Sequence, residues 1–169
     1  MEWEIDEYRG DGDLRAITEL MAADLAEPYG TFTYRAFIEK WPALTIMARS
    51  GGKVIGAVVC QKERRKKTGA VRGYIAMLAV DDEHRKKGIG RTLVVEVIRR
   101  MCADAEEPVD EVCLETETHN KAALGFYGRL GFLKKKRMDK YYLSGGDAFQ
   151  LVLPVNEEVR AAILNNSFF

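Results

Sequence analysis

The spacing of apolar residues along the chain predicts alternating strands and helices. Apolar and polar residues alternate over Trp3–Tyr8, which is typical of a half-buried first strand. Asp13 is the expected N-cap of a first helix. Thr31 or Thr33 is expected to cap a short second helix that ends at Lys40. The apolar positions of the first helix recur every three or four residues and are Leu14, Ile17, Leu20, Met21 and Leu25.

Three apolar segments follow close together and predict the centre of a sheet. They are Leu44–Ala48, Val54–Cys60 and Arg72–Val80, with a hairpin turn at Ser50–Gly52 between the first two. A helix comes next and is expected to end near Ala103. Its apolar face recurs at helical spacing through Ile89, Leu93, Val94, Val97, Ile98 and Met101.

Four further elements are a strand over Glu111–Glu115, a helix over Ala122–Leu130, a basic strand over Phe132–Arg137 and a last strand over Phe149–Leu153. Asn120 is expected to begin the helix and Gly131 to close it as a left-handed cap. The order βααβββαβαββ predicts an α/β fold: a central, mixed but mostly antiparallel, twisted sheet of about seven strands, flanked by about four helices. Residues 1–154 are expected to form the domain, and residues 155–169 a weak helix or a mobile tail.

Composition narrows the classes of function. The chain has 169 residues, of which 47% are apolar and 31% charged, as in a globular protein. The net charge of zero argues against nucleic-acid binding by bulk charge, and the run Lys62–Lys67 is expected to be a solvated hairpin tip or a contact with ribosomal RNA or an acidic partner. The odd number of cysteines (Cys60, Cys102 and Cys113) without a Cys-x-x-Cys motif indicates a reducing compartment and buried, inert thiols.

Two further classes are not expected. The two histidines have no clustered ligands around them, so we expect no metal site. No apolar run is long enough to span a membrane, and no basic-then-apolar leader opens the chain. We therefore expect a cytoplasmic protein with no membrane partner.

The most informative stretch lies between the third apolar strand and its helix. It reads Arg85-Lys86-Lys87-Gly88-Ile89-Gly90-Arg91. Glycines let the backbone approach a ligand, and the first amides of a helix have no internal partner and carry partial positive charge. With four added cations the stretch predicts a pyrophosphate site, the alternative being a solvated turn. It is neither a P-loop nor a dinucleotide fingerprint.

The pattern Arg85-x-x-Gly88-x-Gly90 after Leu78-Ala79-Val80 resembles the acetyl-CoA loop of the GNAT acetyltransferase superfamily. The resemblance implies that the loop binds the pyrophosphate of acetyl-CoA and that the strand binds its pantetheine arm through the backbone. Segments spread over residues 17–154, such as Glu27-Pro28-Tyr29 and Leu114-Glu115-Thr116-Glu117, resemble catalytic subunits of NatC-type N-terminal acetyltransferases.

That closer resemblance implies a substrate and partners. The substrate would be the α-amine of nascent chains that keep Met before Leu, Ile or Phe. The partners would be a large auxiliary subunit and the ribosome, with no specific nucleic acid. Acetyl-CoA would be the co-substrate, without a metal.

A free α-amine has a pKa of about 7.7–8.0, so much of it is protonated at neutral pH and acetyl transfer requires a proton acceptor. The reaction also requires a group that stabilises the leaving thiolate. Glu115 is expected to be the general base, through a water, and the resemblance supports this position; a carboxylate that only orients the amine or is solvated is the alternative. Tyr74 is a second candidate for the base. Glu117 lies two positions along the same strand face, so an exchange of roles with Glu115 stays open. Tyr127 is expected beside the thioester sulfur, as donor to the thiolate or as a packing residue. Asn120 is expected to bond CoA.

The resemblance also gives the candidate peptide contacts, which are Glu27, Pro28, Tyr29, Tyr74, Met77, Tyr141 and Tyr142. An aromatic-lined cleft suits an apolar side chain. Three alternatives stay open: a GNAT acetyltransferase for other N-termini or lysine, a non-catalytic acetyl-CoA-binding module, and an RNA-binding protein. The last would use Lys62–Lys67 and Lys134–Arg137, and zero net charge weakens it.

Overall fold

The computed structural model describes residues 2–25 and 29–169 and has the predicted order of elements. The strands are β1 (Glu4–Glu7), β2 (Thr45–Ser50), β3 (Lys53–Arg64), β4 (Val71–Val80), β5 (Glu111–Glu117), β6 (Leu133–Met138) and β7 (Ala148–Pro154). The α-helices are α1 (Asp11–Asp24), α2 (Thr31–Lys40), α3 (Ile89–Ala103), α4 (Lys121–Arg129) and α5 (Glu157–Leu164). Short 3₁₀ helices span Pro42–Leu44 and Asp82–His84.

The seven strands form one sheet in the order β1-β2-β3-β4-β5-β7-β6. β2 pairs antiparallel with β1 and β3, and β7 pairs antiparallel with β5 and β6. β4 is parallel to β5, from Arg72 opposite Glu111 to Tyr74 opposite Cys113. The predicted mixed, mostly antiparallel sheet is confirmed. In the described part of the chain five α-helices replace the expected four or so, because the C-terminal segment forms α5.

Two compact units divide the chain, Met1–Gln61 with Ile75–Met101 and Lys62–Tyr74 with Cys102–Phe169. β4 passes from the second unit to the first between Tyr74 and Ile75. The first unit has an apolar core in which α1 and α2 pack with strand residues; it comprises Leu14, Ile17, Met21, Tyr34, Ile38, Met47, Ala57, Val59, Met77 and Ala79.

The second unit is built on β5 and β7, whose central residues are buried on both faces. α5 closes this unit: its N-cap Asn156 accepts a hydrogen bond from the Val159 amide at 2.8 Å, and Ile163 is buried. Arg160 donates through Nη2 to the Val109 carbonyl at 2.7 Å. Of the two alternatives for the C-terminal residues, the structure has the helix.

Both N-caps predicted for the first unit are wrong. α1 begins at Asp11 after Gly10, and α2 begins at Thr31 after Gly30, so Asp13, Thr31 and Thr33 lie inside the helices. Neither helix has a side-chain cap. The Asp13 carboxylate instead accepts hydrogen bonds from Arg9 N at 2.7 Å and Arg49 Nη2 at 2.8 Å. One of these partners, Arg49, is far away in sequence, and a local capping rule does not include such a residue.

The hairpin between β3 and β4 is shorter than predicted. β3 continues through Lys62 to Arg64, and the turn is closed by Arg65 N donating to Ala70 O at 2.8 Å. Lys62 pairs with Asp104, and Arg64 with Glu107. These two cations therefore extend a strand, and only the later part of the charge run is a hairpin tip.

Candidate active site

The loop after β4, residues 85–91, is called the phosphate loop here and starts α3. Gly56 on β3 permits α3 to approach closely, because a Cβ at Gly56 would lie 3.0 Å from Ile89 Cγ2 and 3.3 Å from Leu93 Cδ1. The Asp81 amide donates to the Ile55 carbonyl at 2.8 Å. These contacts hold the segment between β4 and α3 against β3 at both of its ends.

The phosphate loop presents backbone and positive charge. Gly88 has φ +81°, in the left-handed region that favours glycine, and an added Cβ would meet nothing within 4 Å. Lys86, Lys87 and Arg91 are exposed, and within residues 2–25 and 29–169 none of them pairs with a carboxylate. The start of α3 together with unpaired cations fits a pyrophosphate. Arg85 differs, because it is ion-paired with Asp24 and Asp82.

Further predicted co-substrate contacts lie at the end of β4 and the start of α3. Ala79 and Ile89 are buried, so only their backbone could meet a ligand, whereas Leu78 and Val80 are half-buried. Gly90 is half-buried in the first turn of α3.

Three side chains form what we call the acceptor cluster: Tyr74, Glu115 and Tyr141. The Tyr74 hydroxyl donates to Glu115 Oε1, and the Tyr141 hydroxyl donates to the same oxygen at 3.0 Å. Glu115 is half-buried on β5. Both hydroxyls therefore orient the same carboxylate.

Glu117 shares a face of β5 with Glu115 but has a different neighbour. Its Oε2 lies 2.9 Å from Nε2 of His119, whose side chain is 78% exposed. Two carboxylates that the sequence alone leaves equivalent are therefore distinguished by their contacts.

Tyr127 is buried on α4, in edge-to-face contact with Phe126 and Phe132 at centroid distances of 4.9 and 5.3 Å. Tyr127 therefore acts as a packing residue between α4 and Phe132, as expected for one of its two alternatives. Asn120 is confirmed as the cap of α4, with Oδ1 accepting from Ala123 N at 3.1 Å.

The loop between β6 and β7 carries Tyr141 and Tyr142, whose rings meet edge to face at 5.0 Å. Asp147 fixes this loop by accepting from Lys140 N at 2.8 Å and from Arg137 Nη2 at 2.6 Å. These two bonds, the backbone one first, hold the pKa of Asp147 below its ordinary value. Sequence reasoning gave Asp147 no function; an Asp next to a glycine in a turn is the signal that could have indicated one.

The other predicted peptide contacts lie in the first unit. Glu27 and Pro28 fall outside the described residues. Tyr29 is 41% exposed and packs edge to face on Tyr34 and Phe37, at 6.2 and 5.9 Å. Met77 is 2% exposed and belongs to the apolar core.

The described residues contain no group of three or more His, Cys, Asp or Glu side chains arranged to hold a metal ion. Nor does any helix in this part of the chain have the length and apolar character needed to cross a bilayer. The prediction of buried thiols is confirmed for Cys60, Cys102 and Cys113. Burial raises the pKa of Cys102 to about 11 and of Cys113 to about 12.

Residues 14–132 match the model of the acetyltransferase (GNAT) family. The chain belongs to the GNAT acetyltransferase family. Among GNAT relatives, N-alpha-acetyltransferase 30 of Xenopus laevis is 47% identical over 146 residues, which cover 86% of this chain and 52% of that protein. N-alpha-acetyltransferase 30 of Saccharomyces cerevisiae is 42% identical over 157 residues, 90% of this chain and 87% of that protein. The chain thus spans about half the length of the Xenopus relative.

A solved structure is also similar to this chain. It is the crystal structure of the NatC complex bound to Gag peptide and CoA, with a TM-score of 0.86 and 40% sequence identity. The match covers 92% of this chain and all of that chain. The resemblance to the GNAT superfamily and to NatC-type subunits is confirmed.

Proposed function

We propose that this chain transfers acetyl from acetyl-CoA to the α-amine of protein N-termini that begin with Met followed by Leu, Ile or Phe. It would act as the catalytic polypeptide of a NatC-type acetyltransferase. The observation that carries the proposal is the acceptor cluster, in which two tyrosine hydroxyls orient one carboxylate. The similarity to proteins named N-alpha-acetyltransferase 30 and to the NatC structure supports it.

The reaction proceeds by direct attack in a ternary complex. The Glu115 carboxylate takes a proton from the α-amine through a water, and the amine nitrogen attacks the thioester carbonyl. The tetrahedral intermediate collapses with cleavage of the carbon–sulfur bond. Tyr127 donates a proton or a hydrogen bond to the leaving thiolate, so that the products are the N-terminal amide and CoA.

Glu115 is preferred to Glu117 as base because of their contacts. Glu115 is bonded to two tyrosines, one of them on the loop proposed to contact the peptide, whereas Glu117 pairs with the exposed His119. Tyr74 serves Glu115 as a hydrogen-bond donor, which disfavours Tyr74 as the acceptor itself.

The phosphate loop binds the pyrophosphate of acetyl-CoA, and the backbone of Leu78–Val80 binds the pantetheine arm. Asn120 adds a hydrogen bond to CoA. The N-terminal residues of the peptide substrate contact Tyr29, Tyr74, Tyr141 and Tyr142, with Glu27, Pro28 and Met77 as further candidate contacts.

We propose that the chain acts in the cytoplasm. The chain works with a large auxiliary subunit that brings it to nascent chains at the ribosome. A NatC complex in the similar solved structure supports an assembly of this kind.

The test is CoA release from acetyl-CoA with peptides that start Met-Leu, Met-Ile, Met-Glu or Ser-Glu, and with an N-blocked peptide that contains Lys. Turnover confined to the Met-apolar peptides is expected. Turnover on lysine or on the acidic starts would overturn the NatC-type specificity but keep acetyl transfer. CoA binding without turnover on any amine, even with the auxiliary subunit added, would leave only a binding module.

A further inference from the structure

Arg85 is the one cation of the phosphate loop that already has carboxylate partners within the described residues. Its Nη2 pairs with Asp24 Oδ1 and, at 2.9 Å, with Asp82 Oδ1. Its Nε donates to the Val80 carbonyl at 3.3 Å. Two carboxylates thus face this one guanidinium.

Asp24 is the last residue of α1, where an acid is unfavourable because the helix dipole is negative at this end. The last turn of α1 carries no basic residue to offset it. The Asp24 side chain is only 27% exposed, and burial raises its pKa despite the neighbouring Arg85. Arg85 is therefore the group that neutralises the C-terminal end of α1.

These contacts separate Arg85 from the other loop cations. An anion that bound Arg85 would have to displace one of its two carboxylate partners or bind next to both of them, against their repulsion. Lys86, Lys87 and Arg91 carry no such penalty, because none of them has a carboxylate partner in residues 2–25 or 29–169.

We propose that Arg85 is a positioning residue that clamps the phosphate loop to the end of α1 through Asp24, and that it is not a phosphate ligand. The phosphates are bound by the amides at the start of α3 and by Lys86, Lys87 and Arg91. This inference rests on the proposed function for the identity of the ligand, CoA. The clamp thus links the loop to the last residue of α1.

The decisive experiment measures the Kd of CoA by calorimetry at several salt concentrations for wild type, Arg85→Gln, Asp24→Asn and the double variant. Lys86→Gln is the matched loop control and Asp82→Asn the control for the exposed partner. A clamp predicts that Arg85→Gln and Asp24→Asn each weaken CoA binding, by about threefold as for a half-exposed ion pair. The double variant should be no weaker than either single variant, and Asp82→Asn should change little.

The salt dependence separates a clamp from a phosphate ligand. Each cation that touches a phosphate adds to the fall of affinity with salt, so Lys86→Gln should reduce that slope. Arg85→Gln should leave the slope unchanged. Exchange of the two charges in the variant with Asp24→Arg and Arg85→Asp should recover CoA affinity relative to Arg85→Asp alone.

The opposite pattern would overturn the inference: a slope reduced in Arg85→Gln as much as in Lys86→Gln, with tighter CoA binding in Asp24→Asn. Thermal unfolding without CoA gives an independent test. Arg85→Gln and Asp24→Asn should lower the unfolding midpoint equally, and the double variant should lower it no further than either single variant. If wild type bound no CoA, the proposed function would fail while the unfolding data would still judge the clamp.

Discussion

The acceptor cluster and the phosphate loop differ in how their polar groups are held. In the acceptor cluster, side chains from different parts of the second unit bond one another at Glu115 Oε1. In the phosphate loop the groups are backbone amides and cations, and of these only Arg85 has carboxylate partners in the described residues. A cluster of mutually bonded side chains depends on each member, whereas a loop shares its binding energy among many groups. Single substitutions should therefore lower turnover in the acceptor cluster and lower the affinity for acetyl-CoA in the phosphate loop.

The largest effect is expected from Glu115→Gln, which keeps the shape of the side chain but removes the proton acceptor. Turnover of a Met-Leu peptide should fall by about 10²–10⁴-fold, the usual contribution of a general base. The Kd of CoA should not change. Glu117→Gln is the matched control and should retain most of the activity; an equal loss there would move the base to Glu117.

Tyr141→Phe removes one hydroxyl and keeps the ring. The kcat should fall by about tenfold, since a hydrogen bond to a charged group contributes about 1.5–3 kcal/mol and this one is partly exposed. The KM for acetyl-CoA should be unchanged in a steady-state assay. A normal kcat in Tyr141→Phe would mean that Tyr74 alone orients Glu115.

Gly88→Ala tests the phosphate loop through its backbone. A left-handed alanine costs about 1–2 kcal/mol, so the KM for acetyl-CoA should rise by about fivefold to tenfold at constant kcat. Gly69→Ala in the β3–β4 hairpin is the matched control, because Gly69 also has a left-handed φ (+73°) and nothing within 4 Å of an added Cβ. An equal rise of KM in Gly69→Ala would show that lost stability, not loop geometry, is the cause.

The smallest effect is expected in the basic β3–β4 hairpin, where the first cation, Lys62, forms an ion pair with Asp104. The hydrogen bond from Lys62, followed by backbone N–H donors, lowers the pKa of Asp104 to about 2 from its ordinary 3.8. A lowered folded-state pKa gives stability that is present above pH 3.8 and lost as pH falls toward 2. Lys62→Met should lessen the loss of stability in this window, measured as urea midpoints.

Lys66→Met is the comparison for Lys62→Met, because Lys66 is exposed at the hairpin tip. It should leave both the acid dependence and the KM for acetyl-CoA unchanged. A raised KM in Lys66→Met would place the hairpin among the co-substrate contacts and remove the distinction between the two basic stretches.

Sequence patterns predicted the elements well where local rules decide, and failed where a distant residue decides. The same capping rule was right for Asn120, which caps α4, and wrong for Asp13, whose carboxylate is taken by Arg49. The difference between Glu115 and Glu117 could not be read from β5, because the partners of Glu115 are Tyr74 and Tyr141. The pairing of Arg85 with Asp24 joins residues far apart in the chain and has no sequence signal of its own.

The buried cysteines have a practical consequence for how turnover is detected. Thiolates, not thiols, react with chromogenic disulfide reagents, and burial raises the pKa of all three cysteines. CoA released by the reaction is in solution and reacts freely. Colour that develops in the folded enzyme's presence therefore reports product alone, and a slow protein-derived background would itself signal unfolding in a damaged variant.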